Sequence, residues 1–251
     1  MREALVVFGY QLRLILREPV WVVIGLIQPL IYLALFGPLL EPIAKATPGF
    51  PPGDAWQVFV PGLLIQLGIF GSMFVGFGLL GEMRAGVVER MRVSPASRFA
   101  LLFGRVMRDT LVLLVQAVVL TLVALAFGLE LVPGGALITL GIVALLGVAL
   151  SSLSYTAALR LKSEDALAPL LNMVSVPVLL LSGILLPMTL APHWLYSLSR
   201  ANPFSHVVEG ARAAFRGDFG ATSLAAGLVA AAFLAAVSLW LATRTFARES
   251  A

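Results

Sequence analysis

Two histidines, His193 and His206, are by residue type the best suited in this chain to metal or acid-base chemistry. They stand thirteen residues apart, with Glu209 as the single closely following acid and no cysteine anywhere. A zinc site needs three or four such ligands at short spacings, so this set points to interfacial packing rather than to a metal. The strings His-Glu-x-x-His and Gly-x-Ser-x-Gly are absent, which removes the zinc-protease and serine-hydrolase patterns. A dinucleotide-type string, Gly76-Phe-Gly-Leu-Leu-Gly81, does occur. It closes an apolar stretch instead of joining a strand to a helix, so its glycines extend a small-residue stripe, Gly68, Ser72 and Gly76, of the kind that lets helix backbones approach. Lys162-Ser163 ends as a phosphate loop would, but Leu161 and Thr156 occupy the places of its two glycines. ATP hydrolysis by that chemistry is excluded, and the lack of cysteine excludes disulfides, thiolate metal sites and thiol nucleophiles.

The elements that would carry any function are membrane helices. Of 251 residues, 60% are hydrophobic and 12% charged, against about 25% charged in an average soluble domain. A soluble fold of this length has no means of hiding so much apolar surface. Six stretches are long and apolar enough to span, at about 20–40, 58–81, 106–127, 132–158, 166–186 and 224–243. Leu5 to Tyr10 is a short apolar run with no small-residue cleavage site after it, which does not read as a cleavable signal peptide. Six spans put both termini on one side. On that side lie Arg2, Arg13, Arg17, Arg84, Arg90, Arg92, Arg98, Arg105, Arg108, Arg160, Lys162, Arg244 and Arg248, and on the other Lys45, Arg200, Arg212 and Arg216. The asymmetry assigns both termini to the cytoplasm. It also accounts for the net charge of +4 without any nucleic-acid partner.

Three segments do not read as spans. Residues 1–19 wind into a helix with Arg2, Glu3, Gln11, Arg13, Arg17 and Glu18 on one side and Leu5, Phe8, Leu12, Ile15 and Leu16 on the other. That is an interfacial helix ending at Pro19, or alternatively a cytoplasmic extension of the first span. Residues 82–98 hold a short helix with Glu89, Arg90 and Arg92 polar and Val87, Val88 and Met91 apolar; Ser94 and Pro95 then restart a helix. A solvated basic loop is the simpler alternative, but it has no need of those three apolar residues. Arg105 and Asp109, four apart, are placed to pair where the next helix meets the membrane. Residues 187–215 interleave Pro187, Pro192 and Pro203 with His193, Trp194, Tyr196, Phe204 and His206. They predict two short helices, about 192–200 and 203–215, dipping into the outer leaflet, with a peripheral amphipathic loop as the alternative. Well inside the spans lie Gln28, Gln66, Gln116, Asn172 and scattered Ser and Thr, with almost no charge, which argues against a proton-coupled carrier. Pro29, Pro61, Pro169 and Pro177 also fall within spans, as hinges, cavity walls or plain packing.

In order and position these features resemble the type-2 ABC transporter permeases, the group containing daunorubicin-resistance and nodulation-factor exporter permeases. Two stretches carry the resemblance: Glu89-Arg-Met-Arg-Val-Ser-Pro-Ala-Ser-Arg98, and Leu181-Ser-Gly-Ile-Leu-Leu-Pro-Met188 through Trp194 to Asn202-Pro203-Phe204 and Glu209-Gly-Ala-Arg212. The layout covers residues 1–251 as one permease domain. The resemblance implies an all-α integral membrane fold of six spans, with an N-terminal interfacial helix, a cytoplasmic coupling helix and re-entrant outer helices before the last span. It implies a separate P-loop ATPase that carries the ATP and magnesium, so that no cofactor belongs to this chain, and a second permease copy, identical or a close paralogue. The ATPase would dock on Arg84, Val87, Val88, Glu89, Arg90, Met91 and Arg92, beside the loop 160–166 with Lys162, Glu164 and Asp165, where Ser163 is placed to cap a helix.

The resulting expectation is an ATP-driven exporter permease of a bacterial plasma (inner) membrane. It would move an amphipathic drug, lipid or glycolipid past Gln28, Gln66, Gln116 and Asn172 to an outer gate at Pro187, His193, Trp194, Asn202, Pro203 and Phe204. The contrasting hypothesis is a membrane enzyme or scaffold without an ATPase, acting on lipid headgroups around His193, Trp194 and His206. It lacks a nucleophile or a metal set.

Overall fold

A computed structural model describes residues 7–13, 20–47, 50–51, 53–86 and 98–248. Among the described residues, nine α-helices follow a short helical segment at 7–13: α1 (Val20–Ala46), α2 (Ala55–Met73), α3 (Gly76–Arg84), α4 (Arg98–Ala126), α5 (Pro133–Leu161), α6 (Glu164–Leu181), α7 (His193–Arg200), α8 (Pro203–Phe215) and α9 (Thr222–Arg248). Six helical stretches are long and apolar enough to cross a membrane, and no strand occurs among the described residues. α2 and α3 together form the second of them. One end of the bundle carries Arg84, Arg105, Arg108 and Lys162 and is called here the basic end; α7 and α8 lie at the far end.

α2 is the most buried of the spans. Asp54 opens it with a capping box shared with Gln57, and nearly every residue from Ala55 to Ile69 is buried, as expected of a helix that is apolar all round. α1 is peripheral. It turns Leu26, Leu33 and Leu40, seven apart, to the bundle and leaves Val23, Ile27, Ile31 and Leu35 outside, where lipid suits them.

Two boundaries differ from the sequence reading. The second span is not continuous, because the helix breaks at Phe74–Val75. Ser154 of α5 fills the break: its Oγ donates to Met73 O at 2.6 Å and accepts from Gly76 N at 2.9 Å, taking up backbone groups the helix has released. A Cβ on Gly76 would lie 2.7 Å from that hydroxyl, so the small-residue stripe has a definite use here. The fifth span is shorter than expected. α6 ends at Leu181, and Gly183, at φ +74°, turns the chain away.

At the far end the two short helices expected around 192–200 and 203–215 are present as α7 and α8. α8 is wedged against backbone on two sides. A Cβ on Gly135 of α5 would meet Ala214 O at 1.9 Å, and one on Gly210 would meet the Gly227 Cα of α9 at 2.9 Å. Small residues let these helices touch main chain to main chain, as helices do where lipid gives no hydrophobic drive.

Candidate functional site

At the basic end, Arg84 closes α3 and Glu164 opens α6, and their side chains pair at 3.2 Å. Lys162 ends α5 in a left-handed conformation, φ 52°, its N–H bonded to Ala158 O. Glu164 and Asp165 then occupy the first turn of α6, where the helix dipole favours acids. The end of α3 and the start of α6 therefore meet. Ser163 sits at the N-cap position in extended conformation, but its hydroxyl makes no capping bond, contrary to the sequence expectation. Val87, Val88, Glu89, Arg90, Met91 and Arg92 lie outside the described residues, as do Ser94 and Pro95 and all of residues 1–19 except 7–13.

Beside this junction a cleft of about 800 Å³ opens between the 7–13 segment, α1, the α2–α3 break and α4. Phe70, Phe74 and Phe77 form one wall, their successive rings parallel within 8° and their centroids 6.3 and 6.1 Å apart. The floor is polar. Arg108 donates to Asp109 at 2.6 Å, to Gln11 Oε1 at 2.8 Å and to Tyr155 at 3.1 Å, while the Tyr155 hydroxyl donates to Asp109. Asp109 takes Arg108 and Tyr155 as hydrogen-bond partners, and Arg105 reaches Glu82 of α3 at 2.5 Å. The apolar helical stretch that includes Arg108 starts at Ala100, so Arg108 stands about 12 Å along the helix from that start at 1.5 Å per residue. The cluster brings together two cations and two anions at the basic end of the bundle.

The four expected path amides separate. Gln66 and Gln28 line a second hollow of about 130 Å³ that shares Ile24, Gly25, Phe70 and Gly71 with the cleft. Gln66 Oε1 is buried without a partner among the described residues. Gln116 lines the cleft, but its amide donates to Val22 O at 2.7 Å and ties α4 to α1. Asn172 is exposed on α6 and bonds its own helix at Ala168 O.

At the far end, Asn202 caps α8 through Phe204 N, 3.1 Å, and donates to Val178 O of α6 at 3.3 Å. Pro203 takes the first turn of α8, Phe204 is buried, and Pro187 lines an apolar hollow of about 300 Å³ with Ile184 and Leu195. Trp194, by contrast, is 68% exposed on α7. His193 starts α7, and His206 Nε2 lies 3.0 Å from Arg200 O; the described residues contain no group of three metal-capable side chains. Arg212 is fully enclosed. It donates from Nε to Val58 O at 2.8 Å and from Nη2 to Gly183 O at 2.8 Å and Ile184 O at 3.3 Å, binding α8 to α2 and to the turn after α6. Burial lowers its pKa to about 10; Glu209 pulls the other way and Arg216 adds to the fall.

Comparison with known sequences settles the family. The model of the ABC-2 type transporter matches residues 2–215. The chain belongs to the ABC-2 type transporter family. Among its relatives, the putative transport permease ycf38 of Cyanophora paradoxa is 28% identical over 198 residues, covering 78% of this chain and 68% of that protein. The daunorubicin resistance ABC transporter permease protein DrrB1 of Streptomyces coeruleorubidus is 27% identical over 237 residues, covering 93% and 82%. The probable doxorubicin resistance ABC transporter permease protein DrrC of Mycobacterium tuberculosis is 21% identical over 198 residues, covering 78% and 70%. The protein is a multi-pass permease subunit of an ABC transporter, a family whose permeases work with an ABC ATPase.

Within this permease, sequence reasoning misses the Gln11–Arg108–Asp109–Tyr155 cluster and the Arg212 clamp. Starting the apolar run at Val106 places Arg108 at its very edge among the cytoplasmic charges; the earlier apolar residues Phe99 to Phe103 are the signal that the helix begins sooner. Arg212 carries no such signal, since its partners are carbonyls from segments far away in the chain.

Proposed function

We propose that this permease forms the membrane path of an ATP-driven exporter that moves an amphipathic drug, lipid or glycolipid out of the cytoplasm or inner leaflet. A separate ATPase chain powers it, and two permease copies, identical or closely related, enclose the path. The basic end faces the cytoplasm of a bacterial plasma membrane with both termini. The observation that carries this reading is the Arg84–Glu164 pair, which supports one docking surface built from the two loops expected to receive the ATPase. Two relatives named as drug-resistance permeases support the exporter direction and an amphipathic cargo.

The test is direct. The tagged permease, gently extracted, co-purifies with a P-loop ATPase near one per permease. Reversing Arg90 and Arg92 to Glu abolishes substrate-stimulated ATP hydrolysis and leaves the permease in the membrane. Arg84→Glu weakens that stimulation, and Glu164→Arg in the same chain restores it. Unchanged stimulation in the Arg90/Arg92 reversal overturns the docking assignment.

A further inference from the structure

We infer that the outer face of α9 at the basic end binds an anionic phospholipid, its phosphate held by Arg244 and its acyl chains lying along the helix beyond Trp240. The two residues are one turn apart, and the guanidinium carbon of Arg244 sits over the Trp240 ring, 3.9 Å from its centre. Helical side chains lean toward the N-terminus, and α9 comes from the far end. Arg244 therefore lies back over the ring, on the membrane side, where a snorkelling cation would reach away from it. The ring supplies no hydrogen-bond acceptor of its own. Among the described residues none of the five N–H donors of Arg244 has a hydrogen-bond partner, and no carboxylate pairs with it. Arg84, Arg105 and Arg108 at the same end each hold a carboxylate. Arg244 is thus a fixed, exposed fork without an anion.

The helix face below it is apolar. Val229, Phe233, Val237 and Trp240 are exposed at steps of four, four and three, which keeps them on one side of α9, and a further step of four reaches Arg244. A second cation stands at the same depth. A small apolar hollow lined by Leu150 and Leu153 of α5 and by Leu234 and Ser238 of α9 sets these two packed helices in register. Arg160 is seven residues past Leu153 and Arg244 six past Ser238, so at 1.5 Å per residue both stand about 10 Å nearer the basic end. Arg160 is exposed in the last turn of α5 and pairs with no acid among the described residues. Two unmatched cations above an apolar track suit a lipid with a net negative charge, whose phosphate the Arg244 fork takes through paired N–H bonds. A zwitterionic lipid brings a cation of its own. Arg244 and Trp240 share no residue with the cleft, so this lipid sits on the outside of the bundle and is not cargo.

Tryptophan fluorescence of the full-length permease tests the site, in phosphatidylcholine bilayers holding a minor fraction of brominated phosphatidylglycerol or brominated phosphatidylcholine. Bromine quenches a ring it touches, and the Trp240 signal is the difference between the wild type and Trp240→Phe. At Trp240 phosphatidylglycerol should be preferred about fivefold or more, the worth of one basic residue near an anionic lipid. Arg244→Gln, read against Arg244→Gln with Trp240→Phe, should lower that preference about fivefold. Arg160→Gln leaves the stacked pair in place and should lower it about two- to fivefold, which keeps the site testable where Arg244→Gln melts early. The difference signal of Trp194, exposed on α7 at the far end, is the control and should favour neither lipid. Inorganic phosphate, added at an ionic strength matched with chloride, should leave the preference unchanged. Equal quenching by the two lipids at Trp240, a preference that survives both Arg244→Gln and Arg160→Gln in proteins of wild-type melting temperature, or the same preference at Trp194 each overturn the assignment. Abolition by inorganic phosphate overturns it as well, by making the pair a site for free phosphate. ATPase and cargo are both absent from the bilayer, so either result leaves the exporter reading as it stands.

Discussion

Replacing Arg212 by Met tests whether a buried cation can be a net fastener. Burial lowers its pKa to about 10, which corresponds to about 3 kcal/mol of cost for holding the charge there. Against it stand two bonds of 2.8 Å and one of 3.3 Å to main-chain oxygens. Charge-assisted hydrogen bonds contribute roughly 1.5–3 kcal/mol each, so the two short ones alone about match or exceed that cost. Met removes the cost together with the bonds, and it also leaves the Gly183 and Ile184 carbonyls enclosed without this donor. Each such group costs about 1–3 kcal/mol, so Arg212→Met should destabilise the far end by about 2–4 kcal/mol. Lys is no substitute. It keeps the burial cost and offers a point charge where the fork reaches both α2 and the turn after α6, so Arg212→Lys should fall at least as far.

The assay is thermal unfolding of the purified permease in detergent, where about 2–4 kcal/mol lowers the apparent midpoint by roughly 5–12 °C. A local readout accompanies it. The chain has no cysteine, so Ile184→Cys is a unique label site, buried in the wild-type fold and expected to react with maleimide much faster in the Arg212→Met background. The folded pKa lies below the unfolded one, so the unfolded chain holds an extra proton only above about pH 10, and this group makes stability rise with pH only there. From about pH 6 to 9 the difference between wild type and Arg212→Met should therefore stay constant. A Met protein as stable as wild type, with the thiol introduced by Ile184→Cys still protected, would refute the reasoning and show that desolvation outweighs the clamp.

Three further outcomes are expected. Ser154→Ala removes both bonds that fill the α2–α3 break and should cost about 2 kcal/mol, seen as a lower melting midpoint and faster cysteine labelling of a Met73→Cys variant. Gly135→Ala drives a methyl to 1.9 Å from Ala214 O and should abolish a monodisperse gel-filtration peak, whereas Gly141→Ala, with nothing within 4 Å, should leave it intact. Asp109→Leu leaves Arg108 inside the span without its carboxylate and should cost about 3–5 kcal/mol in thermal stability, more than Tyr155→Phe, which keeps the ion pair.

How much of this is legible in the sequence follows from the range of the forces involved. The number of spans and the positions of α7 and α8 rest on local signals, apolar runs about 20 long and Pro192, Asn202 and Pro203 at helix starts, and these are readable. The interruption of the second span is not. Gly76 permits it, but the group that stabilises it is Ser154, 78 residues away, and a serine in a glycine- and alanine-rich helix announces nothing about its partner. The amides illustrate the same limit. Gln66 and Gln116 look alike in sequence, yet one has an oxygen in a hollow without a partner among the described residues and the other fastens two spans together.

The break in the second span links these observations into one arrangement. A continuous helix would carry Phe70, Phe74 and Phe77 around its surface at about 100° per residue, roughly 40° apart at i+4 and 60° apart at i+3 in opposite senses. The break at Phe74–Val75 falls between Phe74 and Phe77 of the cleft wall, and the hydroxyl of Ser154 in α5 bonds the backbone on both sides of it. On the same helix α5 lies Tyr155, the next residue, which orders Asp109 and through it Arg108 on the floor. Neighbouring side chains of one helix thus shape the apolar wall and the polar base of the cleft, and α5 ends at Lys162, directly before the Arg84–Glu164 junction. A displacement of α5 at the basic end has no route that leaves the cleft unchanged, because wall and floor are both hydrogen-bonded to it.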